Sequence, residues 1–231
     1  MMLRRDIISD TLRRLCHAAL HLLWPVNCPV CGKLGSVLCA ECVPSLFGSV
    51  LSRCLICGGT FPCLRHQDAP RIRLASVYDG KTKEVIHAMK YGGCRAIGRR
   101  LGICMARLWK RPDADLLLLV PLHIGSKRGY NQSLEIALGL GDVWNIEAAD
   151  IARWTRVVTP RARLGMSERV ELRKDAFGVG PEVKGLRIAI VDDVCTTGAT
   201  LSRLAAACKD AGAEVIGAYA VASPTYYHCH L

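Results

Sequence analysis

Four closely spaced pairs of potential metal ligands dominate the first third of this 231-residue chain. The chain has 13 cysteines, and seven of them fall between residues 28 and 63. Each pair has two intervening residues, a spacing that lets one short turn direct two ligand atoms at the same metal ion. The pairs are Cys28 with Cys31, Cys39 with Cys42, Cys54 with Cys57, and Cys63 with His66. A segment this short buries little hydrophobic core, so bound metal is the expected source of its stability.

We expect these eight ligands to form two tetrahedral zinc sites. The first two pairs give a four-cysteine site, and the last two give a site of three cysteines and one histidine. Because protein ligands fill all four positions of each site, the zinc is expected to be structural and not catalytic. The alternative is that some of these cysteines are buried free thiols, since cysteine is among the most buried residue types. Metal thiolates also favour a reducing cytoplasm as the location of the protein.

The run VDDVCTTGAT at residues 191–200 is the second informative feature. It follows the apolar segment 186–191 and precedes a helix rich in alanine and leucine. Two adjacent carboxylates, Asp192 and Asp193, are followed by small hydroxyl residues and a glycine, whose backbone N–H groups can converge on an anion at a helix N-terminus. The run therefore predicts a phosphate-binding loop. The alternative is an ordinary turn between strand and helix with an Asp or Thr cap.

Alternating apolar strands and amphipathic helices follow residue 72. The run 116–120 is continuously apolar, as strands buried on both faces of a parallel sheet are. The pattern predicts an α/β fold with a doubly wound, mainly parallel sheet and its ligand at the carboxyl ends of the strands. The predicted strands are 74–78, 116–120, 186–191 and 215–221, and the predicted helices are 82–91, 95–110, 134–140 and 200–211.

We divide the chain into an N-terminal helix at 1–24, a double zinc module at 25–68 and an α/β domain at 72–231. The polar connection 67–71 separates the last two. Charges recur through residues 3–24, and the apolar run there is too short to span a membrane, so neither a signal peptide nor a transmembrane segment is expected. Binding at a membrane surface and packing on the zinc module or on a partner both remain open for this helix.

The net charge of +11 and the sequence pI near 9.2 point to anionic partners. Positive charge is concentrated between residues 153 and 174, which carry seven arginines and lysines. Such a cluster suits the phosphate backbone of a nucleic acid, and it is equally typical of a solvated face. The cations are Arg153, Arg156, Arg161, Arg163, Arg169, Arg173 and Lys174.

The motifs occur in the order seen in the ComF family (ComFC and GntX-like proteins), which this chain resembles over nearly its whole length. They are the paired-cysteine module, MKYGG at 89–93, VPLH at 120–123, RGYNQS at 128–133 and VDDVCTTGAT at 191–200. The resemblance implies a type I phosphoribosyltransferase fold behind the zinc module. It also implies a role in natural competence, with single-stranded DNA and a DNA translocase as possible partners.

The resemblance also assigns roles to individual residues. Asp192 and Asp193 would hold the ribose hydroxyls of phosphoribosyl pyrophosphate (PRPP), which binds with Mg²⁺. The VPLH turn would meet the pyrophosphate, with Arg128 or Lys90 neutralising its charge. The 5′-phosphate would be held by Thr196, Thr197, Gly198, Ala199 and Thr200.

Two functions follow as expectations. The first is a PRPP-binding protein that handles imported single-stranded DNA, and the second is an active PRPP-dependent transferase in nucleotide or nucleobase metabolism. The segment 159–177 departs from the family pattern, because it lacks the usual Gln and has Leu172 where Asn is common. Cys195, inside the predicted loop, is expected to be a small apolar substitute and not a catalytic thiol.

Overall fold

A computed structural model describes residues 26–47, 51–126, 128–155 and 175–224. The helix predicted at 1–24 lies outside the described residues. So does most of the Arg-rich segment, of which the structure describes residues 153–155.

A six-stranded sheet forms the centre of the fold, in the order β1-β2-β8-β7-β3-β4. Strands β2, β8, β7, β3 and β4 run parallel, and β1 joins the edge antiparallel to β2. A separate antiparallel pair is formed by β5 and β6. The strand bounds are β1 Leu51–Cys54, β2 Arg71–Val77, β3 Leu116–Leu119, β4 Glu147–Ala149, β5 Ala152–Trp154, β6 Phe177–Val179, β7 Arg187–Val194 and β8 Glu214–Ser223.

Helices cover both faces of the sheet. Their bounds are α1 Val43–Leu46, α2 Gly80–Tyr91, α3 Arg95–Ala106, α4 Gln132–Trp144 and α5 Ala199–Asp210. No helix in the described ranges has the length and apolar character needed to cross a membrane.

Successive residues of the central strands point to opposite faces and build two separate cores. Leu117 and Leu119 of β3 belong to the core that contains α2, α3 and α4. Leu116 and Leu118 belong to the core on the other face, which contains α5. The continuous apolar run of β3 is therefore explained, because both of its faces are buried. The α/β fold class predicted from the sequence is confirmed.

Helices α3 and α4 approach closely through glycines. A Cβ added at Gly102 would lie 2.1 Å from the carbonyl oxygen of Ile136, and one added at Gly139 would lie 2.1 Å from the carbonyl oxygen of Arg99. Close approach brings the start of α4 into a fixed position beside the end of α2. This matters for the site, since residues from both helices contribute to it.

The chain reverses its direction across the sheet between β3 and β7. From β3 it proceeds through α4 to β4 at one edge, and from β7 it proceeds through α5 to the neighbouring β8 on the other side. In open parallel sheets, ligands bind in the crevice outside the carboxyl ends of the strands at such a reversal. The VPLH turn follows β3, and the 196–200 loop follows β7, so both predicted motifs lie at this crevice.

The two cysteine-rich segments attach to the sheet in different ways. Cys28, Leu38 and Phe47 of the first segment pack into the core that contains α3. The second segment supplies β1, whose Leu51 to Cys54 pair with Leu74 to Arg71 of β2. The division after residue 68 stays a prediction, and the sheet continues across it.

Several elements differ in length from the prediction. Helix α3 ends at Ala106, although the apolar stripe suggested Lys110. Strand β7 continues to Val194, past the predicted end at Val191, because Asp192 and Val194 still pair with Ala220 and Ala222 of β8. The acidic pair therefore lies within the last residues of the strand, where backbone pairing fixes its position.

Candidate functional site

The acidic pair lies at the carboxyl end of β7. Asp192 Oδ1 accepts hydrogen bonds from Ser133 Oγ at 3.1 Å and from the amide of Asp193 at 2.8 Å. Ser133 is in the first turn of α4. The last residue of the RGYNQS motif is thus in direct contact with the acidic pair, although the two lie 59 residues apart in the sequence.

Asp193 forms an ion pair with Lys90. The distance from Lys90 Nζ to Asp193 Oδ2 is 2.7 Å, and the side chains are 16% and 12% exposed. Lys90 is in the last turn of α2. Both groups are largely shielded from water, so each charge is compensated mainly by the opposite charge of its partner.

Burial raises the pKa of Asp192 from 3.8 to about 7, and the negative charge of Asp193 acts in the same direction. The Asp193 amide, the Lys90 charge and the Ser133 hydroxyl lower the pKa, but they do not outweigh burial. A neutral Asp192 is a hydrogen-bond donor as well as an acceptor, whereas its ionised form accepts only. Ionisation of Asp192 near neutral pH therefore controls how this carboxyl group meets a hydroxyl-bearing ligand.

The 196–200 loop turns the chain from β7 into α5. Gly198 adopts φ +83° and is followed by the first helical residue, Ala199. Thr197 Oγ1 accepts a hydrogen bond from the Ala199 amide at 3.3 Å. The first N–H groups of a helix have no partner within the helix and carry its positive dipole end, so this loop can hold an anion.

Cys195 precedes this loop and is buried, with 2% exposure. Burial raises the pKa of its thiol to about 12, and the negative charge of Asp192 adds to the effect. A thiol of this kind stays protonated at neutral pH and is a poor nucleophile. Its position supports the interpretation of Cys195 as a small apolar residue.

The VPLH turn is supported from the side by the β5–β6 pair. Trp154 Nε1 donates a hydrogen bond to the carbonyl of Pro121 at 2.9 Å. The ring of Trp154 also packs against His123 and Phe177, with centroid distances of 5.2 and 4.2 Å. The β5–β6 pair therefore fixes the turn, a role that the sequence did not reveal.

The RGYNQS motif ties the start of α4 to its surroundings. Asn131 caps the helix by accepting from the Ser133 amide at 3.0 Å, and its Nδ2 donates to the Val120 carbonyl at the end of β3. The Tyr130 hydroxyl donates to the Met89 carbonyl in α2. The motif thus joins α2, β3 and α4 at the crevice, which explains why its residues occur together.

Lys90 and Arg128 line one pocket of about 500 Å³. Arg128 Nη1 donates to Gln132 Oε1 at 3.2 Å, and its guanidinium lies 5.7 Å from the centre of the Tyr91 ring. Arg95 borders the same pocket and lies 5.1 Å from the centre of the Tyr130 ring. The pocket is positively charged. It begins next to the acidic pair, because Lys90 lines the pocket and also forms the ion pair with Asp193.

The eight predicted metal ligands come together in two groups of four. Within each group the ligand atoms all lie within 4.8 Å of one another. The first cluster consists of Cys28, Cys31, Cys39 and Cys42, and the second cluster consists of Cys54, Cys57, Cys63 and His66.

The distances fit tetrahedral coordination. A zinc ion with Zn–S bonds of about 2.3 Å places its sulfur ligands about 3.8 Å apart. The Sγ atoms of Cys31 and Cys39 are 3.6 Å apart, as are those of Cys57 and Cys63. His66 Nδ1 lies 3.5 Å from Cys63 Sγ and 3.7 Å from Cys54 Sγ. Each cluster can therefore hold one metal ion, with His66 presenting Nδ1.

Two of these thiols ionise easily. Burial acts to raise the pKa of Cys28, but hydrogen bonds from backbone amides, led by that of Cys39, lower it to about 6. Burial likewise opposes ionisation of Cys63, whereas hydrogen bonds from the Arg65 amide and the His66 ring lower its pKa to about 6. In the same clusters the hydrogen bond with Cys39 raises the pKa of Cys42, and burial raises the pKa of Cys57. Thiolates are the form that metals bind, so the low pKa values favour metal coordination by Cys28 and Cys63.

Local spacing in the sequence identified the groups of residues, and the structure shows which groups contact one another. The structure places the acidic pair, the 196–200 loop and the Lys90–Arg128 pocket at one end of the sheet, while their roles as ligands stay predictions. Sequence reasoning missed the contact between Ser133 and Asp192. The available signal was the position of Ser133, two residues after the Asn131 cap and therefore in the first turn of the helix.

Comparison with known proteins agrees with this geometry. The phosphoribosyl transferase domain family matches residues 157–226. The DNA utilization protein YhgH of Salmonella typhi is 31% identical over 192 residues, which cover 73% of this chain and 82% of that protein. YhgH of Salmonella typhimurium (strain LT2) is 30% identical with the same coverage.

Two solved structures resemble part of the fold. The allosteric regulatory enzyme of purine biosynthesis matches with a TM-score of 0.39 and 20% identity, over 55% of this chain and 25% of that one. Glutamine PRPP amidotransferase from B. subtilis has the same score and identity, over 26% of its length. This chain thus spans about a quarter of either enzyme.

The Asp192 carboxyl should titrate with a midpoint near 7 in the folded protein, in place of its ordinary value of 3.8. Replacing Lys90 by Met should raise the midpoint further, because the lysine charge favours the ionised form. Carboxyl ¹³C NMR, assigned with Asp192→Asn, measures both. Because the folded pKa is raised, the Asp192 contribution to stability is complete below about pH 4 and is lost as the pH rises through about 7. A midpoint near 4 in the folded protein would contradict the description of this site.

Proposed function

The chain belongs to the family of the DNA utilization protein YhgH, and from this premise we propose that it binds PRPP with Mg²⁺ in the service of DNA uptake. One observation carries the proposal: the acidic pair, an anion-binding loop and a positively charged pocket meet at the carboxyl ends of β3 and β7. PRPP offers a diol, a 5′-phosphate and a pyrophosphate, and each has a matching group here. The alignment with a phosphoribosyl transferase domain over residues 157–226 supports the same ligand.

In this proposal Asp192 and Asp193 accept hydrogen bonds from the ribose hydroxyls. The amides and hydroxyls of Thr196, Thr197, Gly198, Ala199 and Thr200 donate to the 5′-phosphate. Both assignments follow from chemical type, since ionised carboxylates accept hydrogen bonds from hydroxyl groups and backbone N–H groups donate them to phosphate oxygens. The acidic pair ends the strand and the loop follows it at once, so the proposed ribose and 5′-phosphate sites are neighbours.

The pyrophosphate would enter the pocket lined by Lys90 and Arg128. Lys90 would then exchange its bond to Asp193 for one to a pyrophosphate oxygen, while Asp193 turns to the ribose. Mg²⁺ bound with PRPP would neutralise part of the pyrophosphate charge and so reduce its repulsion from the Asp192 and Asp193 carboxylates. Arg128 is already oriented by Gln132 and needs little further ordering.

An active PRPP-dependent transferase is the second candidate function. It is favoured by the same two cations, because they would stabilise the negative charge of a departing pyrophosphate. Release of pyrophosphate in the presence of a panel of nucleobases and amines measures this activity. Unchanged pyrophosphate levels with every acceptor would leave PRPP binding as the function of the site.

We further propose that zinc occupies both clusters and that the protein works in a reducing cytoplasm, where the cysteine ligands stay reduced. Metal analysis of the purified chain should find two zinc ions per chain. Cys28→Ser and Cys63→Ser should each lower this value by one, since either change removes one of four ligands. Fewer than one zinc per chain, together with freely titratable thiols at these positions, would contradict the assignment.

Asp192→Asn and Asp193→Asn should each weaken PRPP binding by about 1–3 kcal/mol, because each loses a hydrogen bond to a charged group. This corresponds to about 5- to 150-fold in the dissociation constant. Thr197→Val should have a smaller effect, since backbone amides still hold the phosphate. Isothermal titration calorimetry with PRPP and Mg²⁺ measures all three.

Asp142→Asn is a suitable control for the same titration. This residue pairs with Arg99 on the surface between α3 and α4, remote from the crevice, and its loss should leave PRPP affinity unchanged. If replacement of the acidic pair also left the affinity unchanged, PRPP would not bind where we propose.

Single-stranded DNA is the second proposed ligand, bound along the Arg-rich segment 153–174. The net charge of +11 and the relationship to a DNA utilization protein support it. Each phosphate neutralised should contribute about −0.7 to the slope of log affinity against log salt. Joint replacement of Arg161, Arg163 and Arg173 by Gln should therefore flatten the slope by up to about two units. A slope unaltered by this triple change, or no binding at low salt, would contradict DNA binding by this segment. A DNA translocase is the protein partner that such a role implies.

A further inference from the structure

The two cysteine clusters are built on equivalent turns. We call residues 28–33 the first knuckle and residues 54–59 the second knuckle. In the first, the Gly32 amide donates to the Cys28 carbonyl at 2.8 Å, and in the second the Gly58 amide donates to the Cys54 carbonyl at 2.8 Å. Gly32 and Gly58 have φ of +73° and +72°. The knuckles are therefore matched in backbone geometry, and they differ in what surrounds them.

The second knuckle lies directly against the 196–200 loop. A Cβ added to Gly58 would lie 1.9 Å from the carbonyl oxygen of Thr197, whereas a Cβ added to Gly32 has no heavy atom within 4 Å. In the opposite direction, a Cβ added to Gly198 would lie 3.1 Å from the Cα of Gly58. Backbone meets backbone at this contact, so no side chain can rotate to relieve an added group.

Hydrogen bonds extend the contact on both sides. Arg53, directly before the second knuckle, donates from Nη1 to the Thr196 carbonyl at 2.8 Å and from Nη2 to the Pro224 carbonyl at 3.2 Å. Ser202, in the first turn of α5, donates to the Ile56 carbonyl within the knuckle at 2.9 Å. The second knuckle and the preceding Arg53 therefore contact the loop, the helix that follows it and the residue after β8.

These contacts determine which way the peptide groups of the loop face. Carbonyls of Thr196 and Thr197 point toward Arg53 and Gly58. A trans peptide is planar, so the N–H that follows each carbonyl points to the opposite side. The amides of Thr197 and Gly198 are thus turned away from the knuckle. The Gly198 amide lies within hydrogen-bond reach of the Cys195 thiol, and we place the anion beside the Thr197 amide.

We propose that the second knuckle, through Gly58 and Arg53, is a positioning element of the phosphate-binding loop, an inference that rests on the proposed binding of PRPP. Metal in the second cluster then has a role beyond stability, because Cys54 and Cys57 fix the shape of the turn that supports the loop. The first cluster has no such role, since its knuckle packs beside α3 and not at the crevice.

The test compares Gly58→Ala with Gly32→Ala. Both variants impose the same left-handed strain on an alanine next to a metal-binding cysteine, so a loss common to both reports strain alone. The change at Gly58 must also push the Thr197 carbonyl away by about 1 Å or more to reach ordinary contact distance. Losing one hydrogen bond to the phosphate corresponds to about tenfold or more in the dissociation constant.

Three ligands show where the loss occurs. Gly58→Ala should weaken PRPP and ribose 5-phosphate by about tenfold or more relative to Gly32→Ala. Pyrophosphate, which we place in the Lys90–Arg128 pocket, should bind equally to both variants. Zinc content and thermal unfolding are measured on the same samples, and two zinc ions in each variant are expected.

Equal affinities of the two glycine variants for PRPP would overturn the inference and leave the proposed function standing. If the unaltered chain does not bind PRPP, both the inference and the proposed function are overturned. If Gly58→Ala loses its zinc, Arg53→Gln decides, because it removes the bond to Thr196 without touching the knuckle backbone. Weaker ribose 5-phosphate binding with two zinc ions retained would then support the inference, and unchanged binding would overturn it.

Discussion

The pairing of β7 with both β3 and β8 fixes the position of every residue that the candidate site uses on this strand. This strand is apolar on both faces through Val191 and is hydrogen-bonded on both edges, so its backbone has a single possible position. Its last residues carry two carboxylates, of which Asp193 is buried and Asp192 is partly buried. Placing the Asp192 carboxyl group there costs free energy, and burial of the apolar residues of the same strand offsets that cost. The charge is then balanced locally by Lys90 and by the Ser133 hydroxyl.

The segments that carry the cysteine clusters are part of the sheet and its core. The second cluster contributes a strand to the sheet edge, and the turn between its first two cysteines closes one side of the 196–200 loop. A module in this position can couple metal binding to the geometry of the neighbouring loop. The first cluster packs against the α3 face and stabilises the opposite side of the molecule. Two similar turns thus serve different purposes because of what each one contacts.

Much of the site could be predicted from sequence, because its parts are local. The cysteine spacing and the run from Val191 to Thr200 each encode a turn within ten residues, and the structure places both as expected. The end of β7 was misjudged because charge at Asp192 suggested that the strand had stopped, whereas pairing with β8 continues to Val194. Contacts such as that between Arg53 and Thr196, 143 residues apart, depend on the complete sheet and leave no mark in local patterns.

We propose that one end of the sheet holds PRPP, with the ribose on the acidic pair and the 5′-phosphate on the 196–200 loop. A crystal structure of the chain with PRPP and Mg²⁺ tests it most directly. We expect both ribose hydroxyls within hydrogen-bond distance of Asp192 and Asp193, and the 5′-phosphate against the amide of Thr197. Density for the ligand at another surface, with the ion pair between Lys90 and Asp193 unchanged, would contradict the account.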